Sequence, residues 1–166
     1  MSFATDHFRN FANYNRWANA RLYAACGQLS PEEYFRTRPA FFHSIHRTLN
    51  HILVADRIWR SRFEGWEHGI AALNTELYPD FASLKTAREA EDAAIKTFID
   101  GLDDTALMTR PFTYSNSRNQ SFSNTLAEAL PHFFNHQTHH RGQVHGLLSQ
   151  TEVPPPELDL IFFQRA

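Results

Sequence analysis

The 166-residue chain has one cysteine, six glycines and two methionines, and its formal net charge is only −2. A single thiol, Cys26, permits no intrachain disulfide and no paired-cysteine redox or zinc-finger site. It falls among the apolar positions of the first helical stretch and reads as core filling. Acids and bases are interspersed and no long basic run occurs, which argues against a nucleic-acid or anionic-membrane surface. No apolar run approaches the roughly 18 residues of a membrane span. The first residues, Met1 to Phe8, show no basic segment followed by an apolar one. The expectation is a soluble cytoplasmic protein of one domain, residues 1–166. GxSxG, P-loop, GxGxxG and HExxH motifs are absent, and no Glu is followed by His three residues later. Those absences set aside the serine-hydrolase, nucleotide-binding, zincin and di-iron bundle chemistries.

What is abundant is histidine, with ten, and phenylalanine, with fifteen. Five of the ten histidines fall between Leu130 and His145. Phe133, Val144, Leu147 and Leu148 recur around them at helical spacing, which predicts a helix from about Asn124 to Gln150. Pro131 interrupts the pattern without outweighing it. With His136 set to zero on a wheel of about 100° per residue, the apolar positions fall between about 20° and 120°. His140 lies inside that arc, His132 and His139 lie on its edge, and His145 lies near 180°, well outside it. His136 and His140 are thus the inward pair, one turn apart with a rise of about 6 Å, close enough to share an ion. The competing reading is two core histidines with satisfied hydrogen bonds. Asn135, Gln137 and Thr138 read either as partners behind the ligands or as a polar helix face.

In chain order, Phe3 to about Gln28 forms the first long helix, with Phe3, Phe11, Tyr14, Ala18, Leu22 and Ala25 on one face. Asn10, Asn13, Asn15 and Asn19 are poor helix formers, so tertiary packing must hold this element. Ser30-Pro31-Glu32-Glu33 is an N-cap, a proline at the first helical position and acids in the first turn. Residues 37–42 form a connection extended by Pro39. Ser44 to about Phe63 is the second long helix, with Gly65 as its stop. On its wheel His51 lies within the broad apolar arc and His46 roughly opposite. Asp56 is a carboxylate in that arc, read as a buried partner for an arginine or a backbone donor. Gly65 to Tyr78 is a long loop, of the kind that borders sites. Pro79-Asp80 opens a third helix to about Leu102, and Asp103-Asp104 begins a short turn. Residues 108–122 hold strand-like Phe112, Tyr114 and Phe122 around the polar turn 115–119, as in a small hairpin. Ser123 or Asn124 caps the fourth long helix. Pro154-Pro155-Pro156 bars its continuation, and an apolar tail, Glu157 to Gln164, packs back on the rest.

Long helices with short non-helical pieces predict an all-α four-helix bundle, an architecture that builds metal sites from inward side chains. His51, His136 and His140 supply three neutral imidazoles from two helices, leaving positions for water or substrate. Three neutral ligands keep the full ionic charge available to lower the pKa of water or a thiol. The blocks Tyr14-Asn15-Arg16-Trp17-Ala18-Asn19, Ser44 to Trp59 and Asn135 to Gln143 together resemble the DinB family of DinB/YfiT-like metalloenzymes. The resemblance covers nearly the whole chain. It implies an up-down-down-up bundle, frequent homodimers and a three-histidine site, commonly for zinc or nickel, at positions matching His51, His136 and His140. It also implies transferases or isomerases that use low-molecular-weight thiols, while the open metal site itself suits a hydrolase or a thiol-dependent transferase acting on a small-molecule substrate. The alternative is a non-catalytic, metal-stabilised binding or stress-response bundle, with His132 or His139 closing the coordination sphere. Glu152 departs from the glycine that relatives often carry after the fourth helix. Tyr14, Trp17 and Gln143 are candidates for the cavity wall or for plain packing. No residue stands out as a catalytic base. The many phenylalanines exceed what one bundle core needs, so a homodimer is expected.

Overall fold

A computed structural model describes residues 3–116 and 118–165. Four long helices carry the fold: α1 (Phe3–Cys26), α3 (Ile45–Glu64), α4 (Phe81–Asp100) and α6 (Leu126–Leu148). Short elements join them: α2 (Pro31–Phe35), α5 (Asp104–Thr109), the strands β1 (Pro111–Ser115) and β2 (Ser121–Thr125), and a final α7 (Leu160–Gln164).

The helix starts follow from local chemistry. Ser30, Ser44, Asp80 and Asp103 each accept a hydrogen bond from the backbone N–H three residues on, satisfying a donor that the helix itself leaves free. Gly65 ends α3 in the left-handed conformation, φ 81°, that glycine adopts without penalty. The start of α6 is later than expected. β2 runs through Thr125, so Thr125 rather than Ser123 or Asn124 is the cap, and its N–H donates to Glu128 Oε2 at 2.8 Å. α6 continues through Pro131.

Pairs across the bundle give the directions of the helices. On α3 and α6, Phe63 meets Phe133 while His51 meets His140, so the two run antiparallel. α1 and α4 are antiparallel through Tyr23 with Phe81 and Asn15 with Asp92. α1 and α6 are parallel, as are α3 and α4. The bundle is therefore up-down-down-up, all-α apart from one hairpin.

Two apolar clusters fill its ends. One gathers Leu22, Leu49, Leu53, Leu84 and Val144, with Cys26 buried among them. Burial pushes that thiol up to about 12, which suits core filling. The other gathers Phe8, Ile95, Phe133 and Phe134, with Phe63 and Phe112. Between them lies a buried polar layer drawn from all four long helices. Arg88 Nη1 donates to Asp56 Oδ2 at 2.5 Å, and Gln137 Nε2 donates to Asp56 Oδ1 at 2.8 Å. Asn15 and Asn19 both donate to Asp92 Oδ1, at 3.2 and 2.9 Å, while Arg141 donates to Asn15 Oδ1. Two of the four α1 asparagines that weaken the helix by propensity are thus held by tertiary hydrogen bonds. Asp56 is the buried partner of an arginine, as its wheel position suggests. Burial pushes its carboxyl up to about 6, against the opposing pull of Arg88.

The hairpin pairs Tyr114 with Phe122 and Phe112 with Asn124, with Asn119 at a turn φ of 57°. Ser117, within the expected polar turn, lies outside the described residues. Phe112 packs edge-on against Phe63 at the end of α3. After α6, Thr151 Oγ1 donates to Leu148 O at 2.8 Å and accepts from Val153 N–H at 3.1 Å, so the turn beside Glu152 closes without glycine. The tail then folds back, and Phe163 meets Tyr14 and Trp17. One α1 expectation differs: Phe3 is 87% exposed, because the helix begins there, beyond the end of the core. No described helix is long and apolar enough to cross a membrane.

The Arg88 and Asp56 side chains are 2% and 1% exposed, so removing one leaves a buried charge uncompensated. Arg88→Met is expected to destabilise the fold by about 3–5 kcal/mol. Urea unfolding checks this, and a change below about 1 kcal/mol, the level of a surface pair, would contradict it.

Candidate metal centre

His51 sits in the second turn of α3 and His136 and His140 one turn apart on α6, and the fold brings all three together. One nitrogen from each lies within 4.8 Å of the others. His51 Nε2 is 3.2 Å from His140 Nε2, which is 3.0 Å from His136 Nε2. His51 and His140 are buried and His136 half-buried.

The far side of two rings fixes their protons. His51 Nδ1 is 2.8 Å from the Leu73 carbonyl, which can only accept, so the proton is on Nδ1 and Nε2 presents a lone pair. His140 Nδ1 is 2.8 Å from Gln143 Oε1, and the Gln143 amide nitrogen faces His139 Nε2 at 3.3 Å. His140 therefore also turns a bare Nε2 inward. Two lone pairs 3.2 Å apart repel unless a cation lies between them. Nitrogens bound tetrahedrally at 2.0–2.1 Å would stand about 3.3 Å apart, near the observed spacing. The donor set fits a divalent ion.

Electrostatics point the same way. Burial holds the His136 pKa down to about 3, with further lowering from His140 and His51. Burial likewise holds His140 down to about 4, and His51 is lowered too. All three are neutral imidazoles at pH 7, the form that binds metals.

The sequence wheels did not find the surroundings of this cluster. Phe42 stacks on His51 with ring centroids 4.0 Å apart and meets His140 edge-on at 5.6 Å. Its neighbour His43 has a φ of 65°, an uncommon left-handed geometry that turns Phe42 inward from a stretch expected only as a connection. The Leu73 carbonyl comes from the long α3–α4 loop, which does border the site. Gln143 proves to be a positioning partner of His140 rather than a bare wall. Tyr14 and Trp17 are elsewhere: Tyr14 donates to the Leu158 carbonyl at 2.7 Å and lines a separate cavity with Phe134, while Trp17 packs on Phe163.

Of the other histidines, His46 does point away from the cluster, yet it is buried, with Nδ1 3.1 Å from the Tyr34 hydroxyl. A one-helix wheel could not see that α2 covers that side. His145, His139 and His132 are outside the cluster. His132 does line the adjoining cavity of about 410 Å³, together with His51, His136, Trp59 and Leu73.

Fold and cluster together define a four-helix bundle with a three-histidine centre facing a cavity. The model of the DinB family matches residues 1–166, and the chain belongs to that family. It is similar to Protein DinB of Bacillus subtilis (strain 168), 29% identical over 140 residues that cover 82% of this chain and 81% of that one.

The depressed histidines make the metal-free protein acid-sensitive. Below the ordinary value of 6.5 the unfolded chain takes up protons that folded His136 and His140 refuse until about 3 and 4. Stability therefore falls as pH drops through that window. With chelator present, the urea midpoint should fall more between pH 7 and pH 5 for the wild type than for His136→Gln. Equal losses would contradict this.

Proposed function

We propose that the protein holds one divalent ion, zinc or nickel, on His51, His136 and His140. With it the protein acts as a metal-dependent enzyme on a small molecule, as a hydrolase or a thiol-dependent transferase. The observation that carries this reading is the convergence of three Nε2 atoms, with the Nδ1 protons of His51 and His140 held by the Leu73 carbonyl and Gln143 Oε1. Such anchoring of the far nitrogen is what metal-bound histidines need for a fixed ring and tautomer. A divalent ion there supplies Lewis acidity, easing deprotonation of water or a thiol at neutral pH.

The chain's own residues do the rest. Phe42 covers one flank of His51 and His140 and excludes water there. His51 and His136 face the cavity, so a small molecule can approach from that side. A purely structural ion would call for a fourth protein ligand. His132 and His139, which could have closed the sphere, are not in the cluster, and this favours the catalytic reading.

Metal content of untagged protein tests the site. Wild type and His145→Ala should each carry one ion per chain, and His140→Ala should lose it. Gln143→Leu should bind about 10–100-fold more weakly, through loss of the ring anchor. Equal metal in wild type and His140→Ala would refute the assignment.

We also propose that two copies pair through apolar side chains that the monomer leaves exposed, Phe41 at 80% and Phe3 at 87% among them. Sedimentation at roughly tens of micromolar should show a dimer, and a monomer there counts against pairing.

A further inference from the structure

The cavity that opens on His51 and His136 has a second end. Along α3 its wall is formed by His51, Ala55, Ile58, Trp59 and Arg62. That run spans about 16 Å at the rise of a helix. Facing it are Ile70, Ala72 and Leu73 of the α3–α4 loop and His132 of α6. Along α3 the middle of the wall is apolar, one end carries the histidine cluster, and the other carries a guanidinium.

Arg62 differs from its neighbours on α3. Arg57 and Arg60 pair with Glu91 at 3.5 and 2.6 Å, and Arg47 pairs with Glu76 at 2.7 Å. Among the described residues, no carboxylate lies within ion-pair distance of Arg62. Its guanidinium is instead 4.7 Å from the Trp59 ring and 4.6 Å from the Tyr114 ring, and Nη2 donates to the Ser115 carbonyl at 3.3 Å. Glu67 borders the adjoining outer cavity that Arg62 also lines, without pairing to it. A half-buried cation lacking an anion is unfavourable, and burial lowers its pKa.

The two adjoining rings and the Ser115 carbonyl hold the guanidinium in place, and its remaining N–H donors are what a ligand can meet. An arginine edge offers parallel N–H donors that match the two oxygens of a carboxylate. The local charge suits a monoanion. Burial, with the Arg62 charge, holds the nearby His132 below its ordinary pKa, and among the described residues Arg62 is the one arginine or lysine on the wall, which His68 also lines.

The geometry points to Arg62 as the anchor for the carboxylate of an elongated molecule. An apolar middle lies along Ile58 and Trp59, and its far end reaches His51 and His136. That the far end is the reacting end rests on the metal-centre reading; the carboxylate site does not.

The test uses 4-phenylbutyrate and its uncharged amide, 4-phenylbutyramide. Each is titrated calorimetrically into metal-free and metal-loaded protein, as wild type, Arg62→Met and Arg62→Lys. Metal content is measured on the same samples. Wild type should bind the carboxylate about tenfold more tightly than the amide, with or without metal. In Arg62→Met the two should bind within about twofold of each other, since the charge is gone and the apolar stem remains. Arg62→Lys should keep part of the preference, having the charge without the planar fork. Equal binding of acid and amide by the wild type, no binding of either, or a preference that survives Arg62→Met would overturn the inference. A wild type that prefers the carboxylate yet takes up no metal would overturn the metal reading alone. Metal-loaded protein without the preference would overturn the carboxylate site alone.

Discussion

The buried layer centred on Asp56, Arg88 and Asp92 fixes how the four helices stand against one another. Apolar side chains tolerate sliding, because one methyl contact replaces another at little cost. Paired charges and amides at about 3 Å do not, since a shift leaves donors or carboxylates buried without partners. Gln137 ties α6 to Asp56 of α3, and Arg141 ties α6 to Asn15 of α1. These two residues directly follow His136 and His140 in the chain. Moving α6 by one residue would shift and turn its histidines by about 1.5 Å and 100° relative to His51. The convergence of three imidazoles is thus inherited from a hydrogen-bond network that touches none of them.

Around the cluster, His51 and His140 are constrained by different kinds of contact. A loop carbonyl holds His51, a side-chain amide one turn on holds His140, and an aromatic ring covers both on one flank. Burial then keeps the rings neutral. An unprotonated, oriented nitrogen needs no rearrangement when a cation arrives, which lowers the cost of binding it.

Much of this was legible in the sequence. Periodicity located the four long helices, and capping residues located two of their starts, at Ser44 and Asp80. Two wheels selected His51, His136 and His140 from ten histidines, because the ligands of a bundle site must lie on faces that meet. Asp56 announced a partner by standing in an apolar arc. What a wheel cannot show is the neighbour. That the partner is Arg88, that α2 buries His46, and that Arg62 lies against Tyr114 as well as Trp59 all depend on residues far apart in the chain. Phe42 and Leu73 were harder still. One acts from a left-handed turn and the other through its backbone carbonyl, and neither leaves a residue pattern to read.

The α3–α4 loop has two occupations at once. Its side chains at Ile70, Ala72 and Leu73 wall the cavity, and its Leu73 carbonyl grips His51. A backbone shift at Leu73 that widens the passage would also withdraw the acceptor that keeps the imidazole in its metal-ready tautomer. For a shift of the loop backbone, admission and grip would be one motion. A bulky visitor that pries the loop aside loosens the ring beneath it, whereas one slim enough to pass leaves the centre intact. In such an arrangement, size discrimination needs no separate filter, because the hinge of the door is also the clasp of the site.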